Sequence, residues 1–129
     1  MERHREVIII DDDPIFQMIL KFQIGAIAPE VQIREFMNGR QALDHLLAMG
    51  LDHVQGLVLM DLNMPVMDGW GLLDSLREEL LGIDVLMEIY IISSSIDPSE
   101  INRSREYGFV SGFFSKPLDV KVLEQLLTK

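Results

Sequence analysis

Residues 57–69 read LVLMDLNMPVMDG, an apolar run that stops abruptly at Asp61 and leads into a helix-start signal. The consecutive apolar residues of Leu57–Met60 suit a β-strand that is buried on both faces. Asp68 can cap a helix after this strand, because its carboxylate can accept hydrogen bonds from backbone N–H groups of the first turn. The segment therefore predicts a buried strand and then a helix, with a carboxylate where the strand ends.

The same strand–helix pattern recurs along the whole chain. The predicted strands are Val7–Ile10, Val31–Phe36, Leu57–Met60, Ile89–Ile92 and Gly112–Ser115. Each is followed by a segment with helical spacing or a helix-start signal. Strand and helix alternate five times, which favours an α/β fold in which helices cover both faces of a parallel sheet. Chain chirality then makes the crossovers right-handed.

Five helix starts can be read from capping residues and prolines. They are Pro14, Asn38 with Gln41, Asp68, Asp97 with Pro98, and Asp119. After Pro14, apolar residues recur at helical spacing at Ile15, Ile19, Phe22 and Ala26. Gly108 is expected to end the fourth helix, whose segment offers Ile101, Arg105 and Tyr107 for a reversible interface.

Composition narrows the class of protein. The chain has 129 residues and a mass of 14.7 kDa, which predicts a single domain over residues 1–129. Its 11 basic and 21 acidic residues give a net charge of −10, which argues against a basic surface for nucleic acid or anionic membrane. No apolar run approaches the roughly 18 residues of a membrane span, and cysteine is absent. We therefore expect a small cytoplasmic domain with no direct contact to nucleic acid or membrane.

Polar residues follow four of the five predicted strands. They are Asp11–Asp13 after the first strand, Asp61 after the third, Ser93–Ser95 after the fourth and Lys116 after the fifth. The carboxyl ends of parallel strands share one edge of the sheet, where ligands of such folds bind. These side chains are therefore expected to form one site.

The acidic residues of this edge favour a divalent cation. Neighbouring carboxylates repel one another, and a bound cation relieves that repulsion. Oxygen ligands without histidine or cysteine suit Mg²⁺, with Mn²⁺ as a possible substitute. Asp11–Asp13 taken alone is equally consistent with a solvated loop at a helix start.

The lysine and serine of the same edge add the groups that an anion needs. An ammonium and a hydroxyl could hold a phosphoryl group beside the cation, and phosphoryl transfer depends on such charge neutralisation. A carboxylate at the centre of the site could then be the nucleophile and form an aspartyl-phosphate.

These motifs resemble those of the receiver domains of bacterial two-component response regulators, of the stand-alone CheY-like kind. The matching pieces are residues 9–14, 59–69, 91–94, 112–113 and 115–117, so the resemblance extends over essentially the whole chain. It implies a (βα)5 doubly wound, flavodoxin-like fold with the strand order 2-1-3-4-5.

The resemblance also implies roles for single residues. Asp61 would be the phosphoacceptor, and Asp11, Asp12, Asp61 and the backbone carbonyl of Asn63 would bind Mg²⁺. Ser93 would be the switch hydroxyl and Phe113 the aromatic switch, which turns inward when Ser93 moves. Lys116 would pair with the phosphoryl group, and with Asp61 before phosphorylation. The bond between Lys116 and Pro117 would be cis, and Asp13 would only contribute charge at a helix start.

The implied function is a phosphorylation-activated switch and not an enzyme. Its phosphodonor would be a histidine kinase or a histidine phosphotransfer protein, and its output would be altered binding of a downstream protein on the face formed by the fourth helix, fifth strand and fifth helix. The chain departs from the family at Ser93, where threonine is commoner, at Ser94, where alanine or glycine is usual, and at Phe113, which lacks the hydroxyl of a tyrosine. Asn63 and Ser95 occupy positions that influence the lifetime of the acyl-phosphate.

Two other functions remain open at this point. A pseudo-receiver would only bind partners, but such a module is expected to lack an acid, the hydroxyl or the lysine, and all are present. An aspartyl-phosphate phosphatase of the haloacid-dehalogenase type would need a second acid at the position of Asn63, and the chain is short for that class.

Overall fold

The structure, a computed structural model, describes residues 6–95 and 97–128. Five strands alternate with five helices. In chain order these are β1 (Glu6–Ile10), α1 (Pro14–Ile27), β2 (Gln32–Phe36), α2 (Gly39–Met49), β3 (Gly56–Met60), α3 (Gly69–Glu79), β4 (Glu88–Ser93), α4 (Pro98–Ser104), β5 (Val110–Ser115) and α5 (Val120–Thr128). No helix of the described residues has both the length and the apolar character needed to cross a bilayer.

The strands form one parallel sheet in the order β2-β1-β3-β4-β5. This order and the alternating α/β architecture confirm the predicted fold class. In register, Ile10 of β1 lies beside Phe36 of β2 and Met60 of β3. The strands that carry the acidic residues therefore end level with one another.

Two apolar cores hold the helices against the sheet. Because successive strand residues point to opposite faces, Ile8 and Ile10 pack under α2 and α3, whereas Val7 and Ile9 pack under α1 and α5. Every residue of β1 and β3 is buried, as the uninterrupted apolar runs indicate. The central strands therefore provide a rigid base for the residues that follow them.

The cap predictions agree with the structure, although one apolar stripe does not face the core. Asn38, Asp68 and Asp97 each accept a hydrogen bond from a backbone N–H group of the helix that follows. Asp13, expected only as a charge at the helix start, also caps its helix through its side chain. On α1, however, Ile15, Ile19 and Phe22 are 63%, 47% and 79% exposed. The buried residues of that helix are Gln17, Leu20 and Ile24.

The fourth helix is shorter than the sequence indicates. It ends at Ser104, well before Gly108, and Ser104 is its buried residue. Tyr107 follows the helix and is only 4% exposed, so its assignment to an interface was wrong. Its ring lies against α3 because that position completes the core between α3 and α4.

Aromatic and charged side chains join the α4–β5 connection to α3. Trp70 and Tyr107 stack with ring centroids 6.1 Å apart. The guanidinium of Arg77 lies 4.2 Å from the centre of the Tyr107 ring, and that of Arg103 lies 4.2 Å from the centre of the Trp70 ring. The Tyr107 hydroxyl donates a hydrogen bond to Asp74. Burial and this neighbouring carboxylate raise the pKa of Tyr107 above its usual value.

Substitution of Tyr107 should separate the contribution of its hydroxyl from that of its ring. Tyr107→Phe removes the hydrogen bond to Asp74 and should lower the free energy of unfolding by about 1 kcal/mol. Tyr107→Leu also removes the stacking and cation–π contacts and should lower it by about 3 kcal/mol. Urea denaturation would measure both values, and equal losses in the two variants would show that the ring contacts contribute nothing.

Candidate functional site

Four strand ends and the loops after them form the candidate site. Asp11 follows β1, Asp61 follows β3, Ser93 ends β4 and Lys116 follows β5. Backbone hydrogen bonds fix these positions, because Asp61 N donates to the carbonyl of Ile10 at 2.9 Å and Lys116 N donates to the carbonyl of Ser93 at 2.8 Å. The expectation that these residues share one edge of the sheet agrees with the structure.

Three carboxylates meet at this edge. One oxygen from each of Asp11, Asp12 and Asp61 lies within 4.8 Å of the others. Asp11 and Asp61 are buried, whereas Asp12 is exposed to solvent. The donor set consists of oxygen atoms alone and is open on one side, which fits a hard cation such as Mg²⁺ that keeps part of its water shell.

The ammonium of Lys116 bridges two of these acids. Its Nζ lies 2.7 Å from Asp11 Oδ2 and 3.2 Å from Asp61 Oδ2, and the side chain is 16% exposed. Burial by itself would lower the pKa of Lys116, but the two carboxylates outweigh it and raise the pKa above the usual value. Lys116 therefore remains protonated and balances part of the negative charge of the site.

The surroundings of Asp11 disfavour its ionised form. Its burial raises the pKa of the carboxyl above its usual value, although hydrogen bonds from Lys116 and from the backbone N–H of Asp13 act in the opposite direction. The neighbouring charge of Asp61 adds to the increase. A divalent cation at the three acids would favour the ionised form and relieve this cost.

Asp61 is held in a fixed orientation at the centre of the site. Its Oδ1 accepts a hydrogen bond from the backbone N–H of Leu62 at 2.7 Å, and its Oδ2 accepts one from Lys116. The residue is 6% exposed. A carboxylate with both oxygens oriented and one side open can act as a nucleophile toward a ligand that enters from solvent.

The loop between β3 and α3 depends on close backbone packing. At Gly69 a Cβ atom would lie 2.6 Å from the carbonyl oxygen of Asp61, so no other residue fits there without moving the site. Asn63 is exposed in this loop. Val66 has a φ of 68°, and it is 83% exposed, so its side chain gains little from this conformation. The loop therefore stores backbone strain beside the acids.

The expected switch residues lie on the two strands at the other side of Asp61. Ser93 is fully buried, and its Oγ accepts a hydrogen bond from the backbone N–H of Ser95 at 3.1 Å. Ser94 is exposed. Phe113 is half-buried and lines a cavity of about 250 Å³ between α4 and β5, together with Ile101 and Ser104. The peptide bond between Lys116 and Pro117 is cis, as expected.

Two residues of α1 complete the site, and sequence reasoning did not identify them. Gln17 is buried, and its Nε2 donates to the carbonyl oxygens of Asp11 at 2.6 Å and Phe36 at 2.9 Å, which ties the ends of β1 and β2 together. The ring of Phe16 lies 4.3 Å from Lys116 Nζ. Gln17 could have been noticed as a polar residue on the core side of a helix, but Phe16 gave no sequence signal.

Comparison with known proteins places the chain in a family. The sequence model of the response regulator receiver domain family matches residues 7–128 of this chain. The chain therefore belongs to the response regulator receiver family, whose members are signalling switches of two-component systems. This finding confirms the family that the motifs suggested.

The relatives include both kinases and regulators. The sensor histidine kinase RcsC of Escherichia coli K12 is 27% identical over 122 residues, which are 95% of this chain and 12% of that protein. A two-component response regulator from Cytophaga hutchinsonii has 25% identity and a TM-score of 0.83, with 98% of this chain and 96% of that chain covered. The receiver domain of Ssk1 from Saccharomyces cerevisiae, solved with the histidine phosphotransfer protein Ypd1, has 19% identity and a TM-score of 0.80 over 99% of this chain and 89% of that chain.

Relief of the backbone strain at Val66 should stabilise the protein. Asparagine tolerates a positive φ better than a β-branched residue, so Val66→Asn should raise the free energy of unfolding by about 1 kcal/mol. Val85→Asn is the matched control in a loop position without positive φ. A thermal or urea unfolding series would measure both, and a stabilisation no larger than that of the control would contradict the strain at Val66.

A divalent cation should stabilise the folded protein through the three acids. At about 100 times the Kd, Mg²⁺ should add about 2.7 kcal/mol to the free energy of unfolding. Asp12→Asn should reduce this gain, whereas Asp13→Asn should preserve it, because asparagine caps α1 equally well and Asp13 lies outside the triad. Unfolding with and without Mg²⁺ would measure the difference, and equal gains in both variants would remove Asp12 from the site.

Proposed function

We propose that this chain is a phosphorylation-activated switch that accepts a phosphoryl group on Asp61. The single observation that carries the proposal is the group of three acids, two of which, Asp11 and Asp61, are bridged by the ammonium of Lys116. Asp61 is the acid of this group that follows the central strand and has both oxygens oriented. We also propose, as the sequence predicted, that residues 1–129 make up one receiver domain and act in the cytoplasm.

The proposed reaction is a direct transfer from a phosphohistidine. A carboxylate oxygen of Asp61 attacks the phosphorus, the bond between phosphorus and the donor nitrogen breaks, and the electron pair of that bond stays on the imidazole. The product is an acyl-phosphate on Asp61. The chain is thus a phosphoacceptor that assists its own phosphorylation and later hydrolysis, and it turns over no separate substrate.

The cation that we propose is Mg²⁺, with Mn²⁺ as a substitute. Asp11, Asp12 and Asp61 would hold it, joined by the backbone carbonyl of Asn63. When bound, it neutralises charge that develops on the transferring phosphoryl oxygens. The oxygen-only donor set and the raised pKa of Asp11 support this assignment.

The remaining residues of the edge would recognise the product. Lys116 would donate from its ammonium to a phosphoryl oxygen, a contact that a charged donor makes strong. The Ser93 hydroxyl would turn toward the phosphoryl group and give up its contact with the backbone N–H of Ser95. Both residues lie on strand ends that are hydrogen-bonded to each other.

The signal would leave the site through the α4–β5–α5 face. Phe113 lines the cavity between α4 and β5, which gives the ring room to turn inward when Ser93 moves. Ser104 is the buried residue of α4, and a shift of that helix would therefore expose little apolar surface. The phosphorylated form would then bind a downstream protein on this face with a different affinity.

The donor would be a protein that docks on α1. Ile15, Met18, Ile19 and Phe22 expose an apolar row on this helix, which begins two residues after Asp12. A row of this kind on a monomer marks an interaction surface. The donor would be a histidine kinase or a histidine phosphotransfer protein, such as the one solved with the Ssk1 receiver domain.

The two alternative functions have less support. A pseudo-receiver without chemistry does not need the bridged acids, the buried Ser93 or the oriented Asp61. A phosphatase of the aspartyl-phosphate type needs an acid at Asn63, and that position holds an amide. Neither alternative accounts for the arrangement of the edge.

Intact mass after incubation with acetyl phosphate tests the proposed function. With Mg²⁺ present the protein should gain one phosphoryl group, and with a chelator it should gain none. Asp61→Asn should abolish the gain, because it removes the carboxylate that is the proposed nucleophile.

Asp68→Asn is the matched control for this experiment. It removes an acid from the same loop, but asparagine retains the cap of α3, so its phosphorylation should equal that of the unsubstituted protein. Full phosphorylation of the Asp61→Asn variant would refute the role of Asp61. A protein that gains no phosphoryl group under any condition would favour the pseudo-receiver.

A further inference from the structure

The first turn of α1 places an aromatic ring against the ammonium of Lys116. Asp13 caps this turn by accepting hydrogen bonds from the backbone N–H groups of Ile15 and Phe16. The half-buried ring of Phe16 packs against the core beneath α1 and α5. Its centre lies 4.3 Å from Lys116 Nζ, within the range of a cation–π contact.

Among the described residues, the Lys116 ammonium contacts Asp11, Asp61 and the ring of Phe16. The proposed reaction would affect these three contacts differently. Asp61 would become the acyl-phosphate, and Asp11 would bind the divalent cation. Both carboxylates would then be less available to the ammonium than they are in this structure. Of these three contacts, the ring of Phe16 alone keeps its charge distribution throughout.

We propose that Phe16 is a positioning residue, which keeps the Lys116 ammonium at the site while its two carboxylate partners become engaged elsewhere. The inference rests on the proposed function, to which it adds a residue that touches neither the phosphoryl group nor the cation. Without the ring, the long lysine side chain could rotate toward solvent as the cation replaces it at Asp11. Transfer to Asp61 would then begin without its ammonium in place.

The proposal predicts a specific pattern of rates. Phe16→Leu removes the π face and should slow phosphorylation by acetyl phosphate about 5- to 10-fold. Phe16→Tyr retains the π face and should restore the rate. The apparent affinity for Mg²⁺ should stay equal or increase in Phe16→Leu, because a loosened ammonium competes less for Asp11.

Ring fluorination separates the electrostatic role from packing. A trifluorinated phenylalanine at position 16 has nearly the same shape but a much weaker negative face, so its rate should fall between those of the unsubstituted protein and Phe16→Leu. Phe109→Leu removes a half-buried ring elsewhere and should leave the rate unchanged.

A second readout needs neither the cation nor a phosphodonor. In the Mg²⁺-free protein, the ring current of Phe16 should shift the NMR signals of the Lys116 ε-methylene protons upfield, and Phe16→Leu should abolish that shift. Lys116→Arg would identify the signals by their disappearance.

The outcomes distinguish this inference from the proposed function. If the fluorinated protein or the Phe16→Leu variant is phosphorylated as fast as the unsubstituted protein, the role of Phe16 is overturned while the phosphoacceptor assignment stands. An absent ring-current shift would overturn the contact itself. Failure of the unsubstituted protein to be phosphorylated would instead refute the proposed function, and this inference with it.

Discussion

The ion pair of Lys116 with Asp11 and Asp61 is the interaction on which the site depends. The two buried carboxylates repel each other, and the ammonium between them offsets that repulsion. It also joins parts of the sheet that are not neighbours, because β5 is separated from β1 by β3 and β4. A single long side chain thus holds the carboxyl ends of three strands in one electrostatic unit, and any ligand that enters must compete with it or rearrange it.

The sheet makes this arrangement possible because backbone hydrogen bonds alone fix where its strands end. β1 and β3 are buried on both faces and hydrogen-bonded in register, so Asp11 and Asp61 emerge beside each other. Close backbone packing extends that precision into the loop after β3, where Gly69 leaves no room for a Cβ atom beside the Asp61 carbonyl. Rigid strands under mobile loops are the usual support for residues that do chemistry.

The sequence predicted the elements and the polar edge well, because both follow from local patterns. The apolar runs end where the acids, serines and lysine begin, and capping residues mark the helix starts. The orientation of α1 could not be read in this way. Ile15, Ile19 and Phe22 have the spacing of a buried stripe but face solvent. The helix instead turns Leu20 and Ile24 toward the core, together with Gln17, which binds the ends of β1 and β2. The contact of Phe16 with Lys116 joins residues 100 positions apart, and the burial of Tyr107 depends on α3. Neither leaves a local pattern.

Several features of the site and of the helix after β1 oppose stability. Asp11 is a buried acid with a raised pKa, Val66 has an unfavourable φ, and the apolar row of α1 is exposed to water. In a stable scaffold such features persist where ligands and partners compensate for them. A cation would relieve the first, and a docked protein would cover the third. Binding of the cation or of a protein would release a different free energy in each conformation of this region. Such a difference is what allows binding to shift an equilibrium between two conformations. The same residues that weaken the protein would therefore give it the response to a cation and a partner that the proposed function requires.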